Sequence, residues 1–154
     1  MRVTVTTTLP CTFDQARGQV LTSRLMEYVC WPLIMFTPLD PPALPAIWEP
    51  GNYRGRVRSL WVIPLGSQTI GISFPPSSPG QVLVRDNGFG QFVRRWDHLM
   101  TLDATTAEGI QPRYTDQVDI DAGVLTILVW VCANLLYRWR QHRWRRLAAR
   151  NFRY

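Results

Sequence analysis

Two rhythms of apolar and polar positions run along this chain. Residues 2–9 (RVTVTTTL) place β-branched residues at nearly every second position, the period of a half-buried strand, and Pro10 ends the run. Thr12 with Gln15 three positions later has capping-box spacing and predicts a short helix from about Phe13 to Val20, weakened by Gly18. Thr22 or Ser23 can cap a second short helix to about Cys30, with Pro32 as its stop. Residues 37–50 contain Pro38, Pro41, Pro42, Pro45 and Pro50 and read as a rigid connector. From Asn52 to Ile120 strands follow one another, near 52–63, 67–74, 81–86, 91–102 and 112–120. The breaks carry turn chemistry: Pro64 and Gly66, PPSSPG at 75–80, Asp86-Asn87-Gly88, and a polar loop ending at Gly109. Gly90 reads as a bulge where the strand near 91 begins.

After Gly123 the period lengthens to that of a helix, predicted to run to about Arg150. Its apolar stripe is Leu125, Leu128, Val129, Cys132, Leu135, Leu136 and Trp139; continued, the stripe reaches Arg143 and Arg146. The expectation is a helix that lies on a core for its first four turns and leaves it afterwards. The far side carries Trp130, Tyr137 and Trp144 with Ile127, Val131 and Ala133. An outer face of that kind calls for cover, by the connector at 31–50 or by a second copy in a homodimer. The apolar run from Val124 to Tyr137 spans roughly 21 Å as a helix, short of the ~30 Å of a bilayer core, and reads as buried rather than membrane-spanning. The first residues lack the apolar centre of a signal peptide.

The element order is strand, two short helices, five or six antiparallel strands, long helix. A sheet of that size cannot leave both faces wet, and the final helix is the element long enough to cover one. The predicted class is α+β: a curved antiparallel sheet wrapped around the C-terminal helix, with a cavity where the two part. The length, 154 residues, suits one domain over 1–154. All 17 basic residues are arginine, and the net charge of +6 is local: 138–154 hold seven arginines and no acid, whereas 1–137 hold ten arginines and eleven acids. That basic end reads as a solvated helix terminus, with contact to nucleic acid or anionic membrane as the lesser alternative. Cys11, Cys30 and Cys132 form no CxxC and leave one over, which favours a reducing, cytoplasmic setting.

In the strand at 91–102 one face carries Phe92, Arg94, Trp96, His98, Met100 and Leu102; in the next, one face carries Tyr114, Asp116, Val118 and Ile120. These are the more apolar faces and are assigned to the concave side. Pairing across the intervening loop then makes His98 and Asp116 neighbours in the cavity wall. Such a pair can act as general base and orienter, or as a buried polar pair that satisfies itself or orients a ligand. Arg94 and Tyr114 are candidates to meet a ligand carboxylate or hydroxyl near a rim. Tyr53, Trp61, Ile70, Ile72, Trp96, Met100, Val118, Leu128 and Cys132 complete an apolar lining of the kind that small-molecule pockets and plain cores share. No metal-ligand spacing, P-loop or dinucleotide fingerprint is present, and no cofactor is expected.

The order of elements resembles the START-like or SRPBCC superfamily. The residues carrying the likeness are Trp48-Glu49-Pro50-Gly51 with YRGRVRSLWVIPLGSQTI at 53–70, RDNGFG at 85–90, RRWDHLMTL at 94–102, RYTDQVDIDAG at 113–123 and YRWRQHRWRR at 137–146. The resemblance implies the helix-grip fold and a cavity for a small hydrophobic or aromatic molecule. It also implies an alternative, a polyketide cyclase- or aromatase-like enzyme using His98 and Asp116.

Overall fold

The computed structural model describes residues 1–104 and 111–154; the loop expected to end at Gly109 falls mostly outside them. The chain runs β1 (Arg2–Thr8), α1 (Phe13–Val20), α2 (Ser23–Cys30), β2 (Ile34–Asp40), β3 (Gly51–Ser59), β4 (Ile63–Ser73), β5 (Gln81–Gly90), β6 (Arg95–Asp103), β7 (Arg113–Asp121), a single 3-10 turn (Gly123–Leu125) and α3 (Thr126–Ala148). The strands form one antiparallel sheet in the order β1-β7-β6-β5-β4-β3-β2. Among the described residues no helix is long and apolar enough to cross a membrane.

Local chemistry accounts for the first elements. The Thr12 hydroxyl accepts from the Gln15 N–H at 3.3 Å, and the Gln15 side chain accepts from the Thr12 N–H at 3.0 Å. Thr22 caps α2 by accepting from the Leu25 N–H at 3.2 Å. Strand faces follow the alternation: in β3, Tyr53 and Val57 are buried while Arg54, Arg56 and Arg58 are exposed.

Three boundaries differ from expectation. The supposed connector supplies β2, and Pro38 is tolerated because β2 is an edge strand whose ladder shifts register between Pro38 and Asp40. The expected strand at 52–63 ends at Ser59; the chain reverses at 60–62, with Leu60 (φ 47°) and Trp61 (φ 72°) in the left-handed region. Asp86-Asn87-Gly88 is no turn but the middle of β5, and Gly90 closes that strand instead of opening β6. The glycine serves close approach: a Cβ at Gly88 would lie 2.6 Å from the Thr69 carbonyl oxygen of β4.

The largest correction concerns α3. Its buried residues are Ala133, Tyr137, Gln141, Trp144, Leu147 and Ala148, a stripe turned by one residue step, roughly 100°, from the predicted one. Tyr137 and Trp144, assigned above to an outer face, are thus inside. Leu128 and Leu135, assigned to the core, are 61% and 63% exposed. The helix does not leave the core after four turns; its last turns are the best packed. Trp144 and Leu147 join Leu9, Leu25, Val29, Leu102 and Tyr114 in one cluster with α1 and α2. Earlier along α3, Ala133 and Tyr137 meet Val3, Val118 and Ile120 of β1 and β7. Two side chains fasten the helix to β1: Trp130 Nε1 donates to the Arg2 carbonyl at 2.8 Å, and Gln141 Nε2 to the Val5 carbonyl at 2.6 Å. The grip therefore acts at the β1–β7 edge and at α2, and the helix stands away from the rest of the sheet.

Candidate functional site

The space left by that one-sided grip is a hollow of about 950 Å³. Its walls come from α2, the concave faces of β2 to β7, and α3. Its mouth is rimmed by apolar residues that still see solvent: Leu60 and Ile63 at the β3–β4 turn, Phe92 at the β5–β6 turn, and Leu125, Leu128 and Leu135 along α3.

Deep in the hollow lies a polar cluster. Asp116 on β7 is wholly buried, and three donors converge on it. Tyr114 Oη donates to Oδ1 at 2.6 Å, His98 Nε2 lies 2.7 Å from the same oxygen, and Gln141 Nε2 donates to Oδ2 at 3.0 Å. Burial by itself would raise this carboxyl, but the Arg140 charge, His98 and the Tyr114 hydroxyl outweigh it and hold Asp116 below the usual carboxylate range. Burial lowers His98, against the pull of Asp116. The histidine is therefore neutral near pH 7. Facing a carboxylate, it carries its proton on Nε2, an assignment made from the hydrogen-bond network, and keeps a lone pair on Nδ1. The Tyr137 ring packs edge-on to the imidazole at 4.8 Å between centroids, and burial raises the hydroxyls of both Tyr114 and Tyr137.

Asp86, which lines the same hollow, stands directly opposite His98 in the β5–β6 register. Its Oδ1 accepts from the Gly71 N–H at 2.8 Å, yet burial outweighs that bond and pushes the carboxyl up to about 7. Arg140, from α3, also faces the hollow. Its guanidinium lies 4.9 Å from the Tyr137 ring centroid, and its Nε is buried without a hydrogen-bond partner.

Of the residues selected from sequence, Ile70, Ile72, Trp96, His98, Met100, Tyr114, Asp116, Leu128 and Cys132 line the hollow. Four do not. Tyr53 is turned into a small core with Trp48, Ile70 and Ile72, and its hydroxyl donates to the Glu49 carbonyl at 2.9 Å. Trp61 sits 56% exposed on the β3–β4 turn, near Trp31. Arg94 is exposed on the β5–β6 turn. Val118 is filled in by α3. Tyr114 lies at the deep end rather than at a rim. His98 pairs in register with Val118 rather than Asp116, and reaches the carboxylate diagonally.

Sequence reasoning missed Asp86, Arg140 and Gln141. Asp86 was hidden in a tripeptide with turn composition; the alternation Val84, Asp86, Gly88 on one face was the available signal. Arg140 and Gln141 were absorbed into a run read as a solvated end. Among the described residues no cluster of His, Cys, Asp and Glu can hold a metal ion.

No protein-family model matches the sequence, and no curated protein matches it. Solved structures do. A Thermus thermophilus protein superposes with a TM-score of 0.64 at 8% identity, covering 97% of each chain. The Zhui aromatase/cyclase from Streptomyces sp. R1128 gives 0.61 at 12% identity, over 99% of this chain and 96% of that one. A START superfamily protein from Mycobacterium smegmatis gives 0.59 at 8% identity, over 97% of each. These likenesses span nearly the full chain and agree with the strand order and the terminal helix seen here: the chain has the START-like, helix-grip fold.

Proposed function

We propose that this protein binds a small, mainly apolar molecule in the hollow between the sheet and α3. The observation that carries the reading is the hollow: about 950 Å³, walled mostly by aliphatic and aromatic side chains, with polar groups confined to its deep end. Small-molecule sites have that size and that division. Ile70, Ile72, Trp96, Met100, Leu128 and Cys132 contact the apolar body of the ligand, and His98, Asp116 and Tyr114 orient its polar end. The free thiols of Cys11, Cys30 and Cys132 support a reducing, cytoplasmic setting. Native mass spectrometry of the purified protein, before and after addition of a hydrophobic ligand series, tests the reading. A retained or added small molecule that also raises the unfolding temperature supports it; a chain that takes up none overturns it.

A second reading, an enzyme of the cyclase or aromatase kind, has one observation in its favour. Asp86 and His98 stand opposite each other in the hollow wall, one carboxyl pushed up to about 7 and one imidazole held neutral by burial. Groups displaced in this way suit proton transfer near neutrality. His98→Ala separates the two readings: it abolishes turnover of a polyketide surrogate if the protein is an enzyme, and leaves ligand uptake largely intact if it is a binder.

Homodimerisation is a finer part of the binding reading. With Tyr137 and Trp144 in the core, the apolar residues left on the outside of α3 are Ile127 (69% exposed) and Val131 (44%). A scattering mass of twice 17.8 kDa at micromolar concentration supports the dimer, and a monomer mass removes it.

A further inference from the structure

Arg140 is the anomaly of the hollow. An arginine stays charged at any pH a folded protein meets, and taking its charge out of water is costly unless an anion or acceptor replaces the water. Here the side chain sits deep in the molecule with its Nε shut off from solvent and without a hydrogen-bond partner. It belongs to none of the ion pairs formed among the described residues. The Tyr137 ring 4.9 Å away offers a cation–π contact, which is weaker than an ion pair. The nearby carboxylate is no substitute: both oxygens of Asp116 are taken by Tyr114, His98 and Gln141, and none of its surface is open. The other carboxyl of the wall, Asp86, accepts from the Gly71 N–H. What faces the guanidinium instead is the hollow.

Resting on the binding reading above, we propose that the ligand is an amphipathic anion, and that an oxyanion at its head pairs with the Arg140 guanidinium. The apolar body then runs from Arg140 along α3 past Leu136, Cys132 and Leu128 to the mouth, a wall of twelve residues or roughly 18 Å. The head exchanges its water for a fixed cation in a dry site, where a charge-assisted pair is strong. A neutral molecule of the same shape leaves the arginine as unsatisfied as before, so the site discriminates by head group and not only by apolar bulk.

Decanoate and decanol test this, because they share a ten-carbon body and differ at the head. Each is titrated against the protein loaded with a neutral fluorescent naphthylamine, at a pH below the Asp86 midpoint so that this carboxyl is uncharged. The wild type should release the fluorophore at about tenfold or more lower free decanoate than decanol, the scale of one charge-assisted bond. In Arg140→Met the acid should weaken by about tenfold while the alcohol changes by no more than about twofold. Arg140→Lys, which keeps the charge, should retain the preference, and it decides the matter if the methionine variant fails to fold. Equal affinities in the wild type, or a preference that survives Arg140→Met, overturn the proposal while leaving the binding reading in place. A protein that admits neither the fluorophore nor either titrant overturns both.

Discussion

The two halves of α3 have opposite compositions and opposite fates. Residues 125–136 are almost wholly apolar, yet Ile127, Leu128 and Leu135 are each more than 60% exposed. Residues 137–148 hold five of the seven tail arginines, yet Tyr137, Gln141, Trp144, Leu147 and Ala148 are buried. Hydrophobicity is therefore not a proxy for burial in this helix. The basic half can be inside because its arginines leave the interior by their long stems: Arg143 lies against the rings of Tyr28 at 4.2 Å and Trp31 at 5.5 Å. The apolar half can be outside because it borders a hollow, where apolar surface meets a prospective ligand instead of a core.

Five measurements break or sharpen this contrast. The largest expected effect is Trp144→Ala, which removes a side chain that packs edge-on to Tyr114 at 4.2 Å; urea unfolding should show a loss of about 3–5 kcal/mol. A loss below about 1 kcal/mol would mean that the basic half is not the packed one.

Next comes Asp86→Asn, which probes the wall facing the helix. The carboxyl is raised from 3.8 to about 7 on folding, so the native state holds its proton more tightly than the unfolded chain. Its contribution is intact at low pH and is lost as pH rises from about 4 through about 7. The asparagine variant should match wild type below that window and be more stable above it, by at most about 4 kcal/mol. His98 has the opposite sign: burial lowers its midpoint, so stability falls as pH drops below the ordinary 6.5. Its contribution should stand out once Asp86 no longer masks it.

Gln141→Leu removes the donor shared by Val5 and Asp116. A cost of about 1–3 kcal/mol is expected, because buried acceptors are left unmet. By contrast, Leu135→Ser in the apolar half should alter stability by less than about 0.5 kcal/mol, because that side chain is 63% exposed. The smallest effect is kinetic. The exposed Cys132 should react with a maleimide at once and the buried Cys30 only on unfolding, and a ligand in the hollow should slow the labelling of Cys132. Equal rates with and without ligand would place the guest elsewhere.

Much of this was legible along the chain. The helix caps at Thr12 and Thr22, the alternation through β3 and β7, and the proximity of His98 to Asp116 all depend on neighbours within a few residues or on a period of two. That period leaves only one choice, which face is inside, and composition makes the choice. Asp86 was misread because Asp-Asn-Gly is turn chemistry until another strand approaches closely enough to demand the glycine. β2 was misread because prolines argue against a strand only when both of its edges must be paired.

Element types, their order and the inward faces of the strands followed from residue periodicity, since backbone geometry repeats over short distances and each strand carries its own pattern. The rotation of α3, the burial of Arg140 and the existence of the hollow did not. A helix apolar on two sides satisfies its period in more than one orientation. Which side turns inward is set by what meets it: Val5 and Asp116 waiting for Gln141, Tyr114 for Trp144, and the Arg2 carbonyl for Trp130. Those partners lie 25 to 136 positions away along the chain, and packing alone brings them together.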